Sequence, residues 1–554
     1  MNKFLKLGSY AGTFLKRVIR EPQLLLNPGY ILSRIKKYGQ FENYDRYVKR
    51  FKLTGTEIQS LQLQTKQFEV KPFVSILLLP GTGSGVNTIE SLNSQAYRVG
   101  EIIDVSAGGF SSIKTEIIRA AGDYIVFVKQ GDILYPNSLF DLVAYINKNK
   151  EYLPDILFSD HDNYCKEKRE GHFFKPGWSP DLFLVFDYLF RACLVKRLSL
   201  LKVLDGEFAE DTDLALYDIL LRVSENGKVV HCPGVLFSFP KTEAKTEPEQ
   251  AGEKEKNIRL AALQRRGGNS TVSANKHSLP MVRRNLMGEP LISIIIPTCF
   301  KEDYISTCIS SILSKSTYRN YEIIVLDNSR KGPDYGKQRL KDFDCRIVYI
   351  DKPFNWAEFN NIAVQHASGE LYLFLNDDTE VLTNEWLEIM ASHALRQEIG
   401  VVGPLLLFPD GVVQHAGMFL VNNSAGMRHC FTQLPEGYSG YHNILHYQRN
   451  VIAVSGACQM VAKSKYENVR GYDERFSVGS NDVDFCLRLY EQGYLNLYLP
   501  EVLVTHKEKA SRANLSEEND NKLFTGRWGK MLAQGDPFFN KYLSMEHSDF
   551  RLGI

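Results

Sequence analysis

ELYLFLNDDTE, residues Glu370 to Glu380, organises the reading of the whole chain. A nearly unbroken apolar run, too short to span a membrane and too rich in β-formers for a surface helix, leads directly into Asn376, Asp377 and Asp378. This reads as a fully buried strand with carboxylates at its C-terminal end. In open α/β sheets the ligand crevice lies beyond the carboxyl ends of the strands, where an acidic pair is well placed to hold a divalent cation. The same residues also suit a plain turn whose Asn and Asp side chains bond their own backbone. The surrounding sequence has to separate the two.

At 554 residues the chain is too long for one ordinary core and fits two large domains with extensions. A hydrophobic content of 44% with 24% charged residues is that of a folded chain rather than a disordered one. The net charge of +1 argues against a dedicated nucleic-acid binder. The charge is uneven: residues 1–50 hold 11 Lys and Arg against 3 Asp and Glu, a net of +8, which leaves −7 for the remainder. Nine cysteines are scattered without CxxC spacing, as expected of small buried residues in a reducing compartment. There is no run of 18 apolar residues and no signal-peptide pattern at the start, so the expected location is the cytoplasm.

In chain order, Phe4, Leu7, Ala11, Phe14, Leu15 and Val18 recur at helical spacing, with Lys3, Lys6, Lys16, Arg17 and Arg20 on other faces. A basic amphipathic helix of this kind over residues 1–20 either lies on an anionic membrane surface, at the inner face of the cell membrane, or docks on its own protein. Residues 1–71 form a helical basic region. From Pro72 strand and helix patterns alternate (FVSILLLP, TIESLNSQAY, EIIDVS, SSIKTEIIRAAG, DYIVFV), predicting an α/β domain with a mostly parallel sheet over 72–240. A charged stretch with one helix, 241–289, reads as a linker. At Leu291 the first pattern begins again: LISIIIP matches FVSILLLP, YEIIVLDNS matches EIIDVSAGG, and ELYLFLNDD matches DYIVFVKQGD. This is a tandem duplication, with the second copy over 290–512 and a helical tail over 513–554.

Within the second copy, SIIIPT, EIIVLDNS, FNWAEFNNIAVQHASGELYLFLNDDTEV, VGPLLLFPDGVVQHAGM, SGACQMV, GYDERF and NDVDFCLRLYEQGY resemble the inverting family-two glycosyltransferases of GT-A fold, most closely those that build O-antigen, capsule and other bacterial surface polysaccharides. The resemblance implies a role for each matching position. Asp378, with Asn376 and His506, would hold Mg²⁺ or Mn²⁺; Asn376 departs from the acidic residue usual there. Asp482 matches the catalytic base, with Asn481 where Glu is more usual. Pro297, Thr298, Asp327, Asn328, Asn355, Asn361 and Asp377 would contact the nucleotide sugar. Gln414, His415, Gly456 and Ala457, together with Asn481, would lie near the sugars. The implied partners are a nucleotide-sugar donor and a saccharide or lipid-linked saccharide acceptor.

The first copy resembles the same family through SDHDNY, FFKPGWSPDLF and YDILLRV, but Lys129, Gln130, Gly131 and Asp132 replace the metal motif and Ala215-Leu216 stand where the base belongs. Ser106 takes the place of Asp327. A degenerate first copy is expected, retained for packing, acceptor binding or assembly. A second activity there would have to use Asp160, Asp162, Asp211 and Asp213. Two other functions stay open at this level: a non-catalytic saccharide-binding scaffold, and a two-site polymerase. A dehydrogenase is excluded, because no GxGxxG follows the first strand of either copy.

Overall fold

The structure, a computed structural model, describes residues 44–82, 85–105, 109–151, 153–166, 168–189, 191–241, 248–423, 425–508 and 517–553. The basic helix expected over residues 1–20, and Ser106, lie outside them. The chain divides into two compact units, an N-terminal one of residues 44–284 with 537–543 and a C-terminal one of residues 285–536 with 544–553.

In the N-terminal unit the strands are β1 (Val74–Leu79), β2 (Glu101–Asp104), β3 (Tyr124–Lys129), β4 (Ile133–Leu134), β5 (Ile156–Cys165), β6 (Lys168–Phe173), β7 (Cys193–Lys196) and β8 (Val229–Pro240). They form one sheet in the order β2-β1-β3-β7-β5-β8-β4, with β6 added to β5. A separate hairpin, β9 (Ser270–Ala274) and β10 (Pro280–Arg284), ends the unit.

The C-terminal unit contains β11 (Ile292–Thr298), β12 (Tyr321–Asp327), β13 (Arg346–Tyr349), β14 (Leu371–Leu375), β15 (Thr379–Val381), β16 (Ile399–Leu407), β17 (Val413–His415), β18 (Met418–Leu420), β19 (Met427–His429), β20 (Arg449–Val451), β21 (Cys458–Ala462) and β22 (Leu495–His506). The main order is β13-β12-β11-β14-β21-β16-β22-β15, and β18 and β19 form a two-stranded ribbon.

The two sheets share one topology. β2-β1-β3-β7-β5-β8-β4 maps onto β12-β11-β14-β21-β16-β22-β15, and every corresponding pair runs in the same relative direction. Parallel pairing runs from β13 through β12 and β11 to β14 and recurs between β16 and β22, while β21 enters antiparallel between β14 and β16. The sheets are therefore mixed. Strand periodicity carries burial but not direction, which is why the sequence pattern alone points to a more parallel sheet.

Both copies are pinned by the same polar device beneath the first strand. In β1 the Ser75 hydroxyl donates to Glu101 at 2.5 Å and accepts the Gly122 amide at 2.9 Å, while Glu101 also accepts the Ala121 amide. In β11 Ser293 donates to Glu322 at 2.7 Å and accepts from Gly369 at 2.9 Å, and Glu322 accepts the Ser368 amide. Both serines are fully buried, so these bonds satisfy groups that would otherwise be orphaned in the core. Each unit has its own apolar core, built from the strand faces and the helices laid on them.

The charged stretch read as a linker is packed instead. Its helix Pro248–Arg265 directs Arg259 to the Leu184 carbonyl at 3.1 Å and pairs Arg265 with Glu225 at 2.9 Å. The unit boundary falls after Arg284. All nine cysteines are free, and among the described residues no helix is long and apolar enough to cross a membrane.

A Cβ on Gly369 would stand 2.6 Å from Ser293 Oγ and 2.8 Å from the Leu291 carbonyl, and one on Gly122 would stand 2.4 Å from Ser75 Oγ. Gly369→Ala and Gly122→Ala are each expected to destabilise their own unit by about 1–3 kcal/mol, measured by urea denaturation.

Candidate active site

A cavity of about 800 Å³ opens in the C-terminal unit at the carboxyl ends of β11 and β14. Pro297, Thr298, Asn376, Asp377, Asp378, Gln414, Gly456, Ala457, Asn481, Asp482 and His506 line it, together with Asn328. Residues far apart in sequence thus meet around one space. Asn376 to Asp378 lie at the turn between β14 and β15, whose Thr379 pairs with His506 at the end of β22.

His506 faces Asp378, its Nε2 being 3.1 Å from Asp378 Oδ1. The other ring nitrogen, Nδ1, is 2.7 Å from Gln414 Oε1. Gln414 has only one orientation available, since its Nε2 donates to the His506 main-chain carbonyl at 3.2 Å. The amide oxygen therefore faces Nδ1, which must carry a proton, and in the uncharged ring the lone pair is then on Nε2. Asn376 agrees with that tautomer: its Oδ1 accepts from Trp356 Nε1 at 3.2 Å, and its Nδ2 donates toward His506 Nε2 at 3.3 Å. In this orientation Asn376 presents an N–H, not an oxygen, to the space between Asp378 and His506. A carboxylate oxygen and an imidazole lone pair facing each other suit a divalent cation between them.

Asp482 sits in the first turn of the helix Asn481–Glu491. Its Oδ1 accepts the amide of Val483 in that turn at 2.9 Å, and its Oδ2 accepts the Gly456 amide at 2.7 Å. A Cβ on Gly456 would lie 3.1 Å from Asp482 Cβ and 3.2 Å from the Trp356 ring, so a bare glycine lets the turn pass between them. Asn481 is buried in the cavity wall, where its Oδ1 accepts the Asp482 amide at 2.8 Å and its Nδ2 has no hydrogen-bond partner among the described residues. Just before the helix, Ser480 adopts a left-handed conformation with φ 58°. The strained approach is held from the tail: Asp520 accepts the amides of Val478 and Gly479 at 2.8 Å each and that of Ser477 at 3.4 Å. Trp528 Nε1 donates to Asp484 at 3.0 Å from the same tail helix, Glu518–Gln534. Nothing in local sequence pattern marks Asp520, because its partners lie some 40 residues away.

On the side expected to face the nucleotide, Thr298 donates to Asp377 at 2.6 Å. Asp327 is fully buried, does not line the cavity, and spends both oxygens on the amides of Ser329 and Gly336. Asn328 reaches the cavity while its Nδ2 donates to the Lys352 carbonyl. Asn355 and Asn361 are not brought to the cavity. Asn355 caps the helix Trp356–Val364 and donates to the Glu474 carbonyl. Asn361 bonds Tyr466, the main chain of Tyr472 and the Glu474 carboxylate. His415 is also behind the wall: Nε2 accepts the amides of Gly417 and Ser455, and Nδ1 meets His429 Nδ1 at 2.9 Å. His429, which sequence pattern does not single out, is the histidine that lines the cavity there.

The corresponding place in the N-terminal unit is chemically different. The register of β1 with β3 sets Lys129 at the position of Asn376, and the pairing of β8 with β4 sets Phe239 at the position of His506. The helix Thr212–Asn226 runs 15 residues against 11 in Asn481–Glu491. Counting back from the matching ion pairs Asp218–Arg222 and Asp484–Arg488, Leu216 stands where Asp482 stands. Lys129 binds Asp213 at 2.5 Å, and Arg191 clasps Asp132 through two 2.9 Å bonds. Asp160 and Asp162 are fully buried and engaged, Asp160 by His231, Lys175, Gly234 and Asn540, Asp162 by Tyr44, Tyr135 and Arg169. Asp211 caps its helix. The carboxylates of this copy are committed within the fold.

Asp377 is shielded from bulk water, and that burial pushes its carboxyl up from 3.8 to about 6; the Thr298 hydroxyl opposes the rise and the neighbouring Asp378 adds to it. Because the folded value is the higher one, this group favours the fold fully below pH 3.8, and its contribution is lost as pH rises through 6. In chelator, Asp377→Asn is expected to leave stability unchanged at pH 3.5 and to raise it by about 1–2 kcal/mol at pH 7.5, measured by urea denaturation.

Comparison with known proteins agrees with this geometry. The profile described as Glycosyl transferase family 2 matches residues 293–447. An O-antigen biosynthesis protein, RfbC, of Myxococcus xanthus is 33% identical over 441 residues, which cover 77% of this chain and 34% of that protein. A protein of Sinorhizobium fredii, y4gI, is 30% identical over 83% of this chain and 53% of its own length. The chain thus spans between a third and about half of these two relatives. An N-acetylglucosaminyl-diphospho-decaprenol L-rhamnosyltransferase of Mycobacterium tuberculosis is 30% identical over 219 residues, 36% of this chain and 70% of that enzyme. With the profile match and the cavity both falling in the second copy, and a relative aligned over most of its own length, the chain belongs to glycosyl transferase family 2.

Proposed function

We propose that the C-terminal unit is an inverting, divalent-metal-dependent glycosyltransferase, which moves a sugar from a nucleotide-sugar donor to a saccharide or lipid-linked saccharide acceptor in bacterial surface-polysaccharide synthesis. The observation that carries this reading is the meeting in one cavity of Asp482 with the Asp378–His506 pair, whose Nε2 lone pair is fixed by Gln414. The names of the relatives, an O-antigen biosynthesis protein and a rhamnosyltransferase acting on a diphospho-decaprenol, support the substrate classes.

Asp378 and His506 would hold Mg²⁺ or Mn²⁺. A cation bound there supplies positive charge to the departing nucleoside diphosphate. Thr298 and Asp377 border the same end of the cavity, where the nucleotide would lie. Asp482 accepts the proton of the acceptor hydroxyl as its oxygen forms a bond to the anomeric carbon and the bond from that carbon to the diphosphate oxygen breaks. The electron pair leaves with the diphosphate, the proton stays on Asp482, and a single displacement inverts the centre. The Gly456 amide orients the Asp482 carboxylate for this task.

The N-terminal copy is proposed to be inactive. A lysine, a phenylalanine and a leucine occupy the three chemical positions, and Arg191 and Lys129 are neutralised by carboxylates of the same unit. A lipid-linked acceptor would place the reaction at a membrane surface, the role proposed for the basic residues 1–20. Deleting them should then reduce sedimentation with anionic vesicles.

In a panel of nucleotide sugars, Asp482→Asn is expected to lower transfer and donor hydrolysis roughly 100- to 10,000-fold while nucleotide-sugar binding persists; wild-type turnover in this variant removes the assignment. The matching donor is expected to raise the melting temperature further when Mn²⁺ or Mg²⁺ is present. Asp378→Asn and His506→Ala should abolish that metal dependence, and Gln414→Ala should weaken metal affinity about 10- to 100-fold by releasing the His506 tautomer.

A further inference from the structure

The cavity holds a second histidine whose proton lies on the opposite side from that of His506. His415 Nε2 accepts the amides of Gly417 at 3.2 Å and Ser455 at 3.3 Å. Backbone amides can only donate, so this nitrogen carries no proton. Gly417 can present its amide there because it adopts φ 82°. Full burial, with His429 and Arg449 nearby, drives His415 well below its usual value and keeps the ring neutral. Its single proton is therefore on Nδ1, and the partner 2.9 Å away, His429 Nδ1, must accept it. Burial also lowers His429, against the opposing pull of Asp482 and Glu508, so that ring is neutral as well and its proton is on Nε2.

His429 ends β19, in the ribbon with β18, and lines the cavity together with Met427 two residues earlier on the same strand face. Its position relative to Asp482 is set by one turn. The amide of Ser455 goes to His415 and the next amide, Gly456, goes to Asp482. The base and the histidine pair are thus held by consecutive peptide groups. An Nε2 bearing a proton cannot bind a cation, which separates His429 from His506 in role as well as in place. What it can do is donate to an oxygen lone pair.

Resting on the transferase reading above, we propose that His429 is a specificity-determining residue, presenting an uncharged Nε2–H to a hydroxyl oxygen of the acceptor sugar beside Asp482, and that His415 is the positioning residue that enforces this tautomer. A neutral donor suits the site. It recognises a hydroxyl without competing with the acceptor for the negative charge of Asp482, whereas an imidazolium there would pair with the base and depress its proton affinity.

The test uses the full chain with ¹⁵N-labelled histidine rings. The expected two-bond proton–nitrogen pattern is Nδ1–H for His415 and Nε2–H for His429. Titration with methyl glycosides of glucose, galactose, mannose and rhamnose should shift the His429 Nε2 signal with at least one of them. With the acceptor found in that way, His429→Phe should raise acceptor KM about tenfold, the worth of one hydrogen bond, and leave donor KM and donor hydrolysis unchanged. His429→Gln, which keeps an N–H, should restore most of the loss. His415→Phe should scramble the His429 tautomer and reproduce the KM effect, but add nothing in the His429→Gln background. A His429 proton on Nδ1, no glycoside shifting its signal, or an unchanged acceptor KM in His429→Phe each overturns the proposal. Failure of the transferase reading registers separately, as no nucleotide sugar stabilising the protein with Mn²⁺ or Mg²⁺.

Discussion

Three consecutive residues, Ser455 to Ala457, tie the site together. Ser455 gives its amide to His415, Gly456 gives its amide to Asp482, and Ala457 receives the Asn376 amide on its carbonyl at 3.0 Å. The turn leads into β21, the strand that runs antiparallel to β14 and so interrupts the parallel pairing of the sheet. Reversal of strand direction is what makes this possible. It sets the start of β21 beside the end of β14, so that one turn touches the acidic motif, the base helix and the histidine pair. Any shift of that turn moves all three together, and the close fit of Gly456 between Asp482 and the Trp356 ring leaves little room for one.

Much of this was legible in the sequence where the signal is local. β11 and β14 are buried on both faces, as an apolar run bounded by polar residues implies. Asp378, Asp482 and His506 were each readable as a chemical residue at the end of an element, and the fold brings them to one cavity. Side-chain destiny was less legible. Asp327, Asn355 and Asn361 have the same polar character, yet Asp327 turns to amides of its own loop and Asn355 and Asn361 to groups of residues 466–474. Asx side chains suit both tasks, and only the surrounding loop decides between them. Gln414, Asp520 and His429 act through partners remote in sequence, and a linear pattern carries no record of such pairings.

The duplicated sheets separate what maintains a fold from what performs chemistry. The buried serine, its glutamate partner and the glycine beneath it occur in both copies with nearly the same geometry, because a hydroxyl sealed under a sheet needs both a donor and an acceptor in either. The strand ends carry no such demand. In the N-terminal copy they hold Lys129 and Phe239, and side-chain cations compensate the carboxylates from within. An ion pair of this kind, closed within the protein, leaves no net charge for a metal or a diphosphate to answer.

Residues 537–543 belong to the N-terminal unit although the segments on either side belong to the C-terminal one. Within the N-terminal unit Asn540 donates to both oxygens of Asp160, a separation of 380 positions, and the Pro537 carbonyl lies so close to Gly177 that no other side chain fits there. During synthesis the ribosome releases the N-terminal sheet long before this segment emerges. The buried Asp160 carboxylate must wait, short of one of its donors, until residues 285–536 have been made. The N-terminal unit is therefore begun before the C-terminal one and completed only after it.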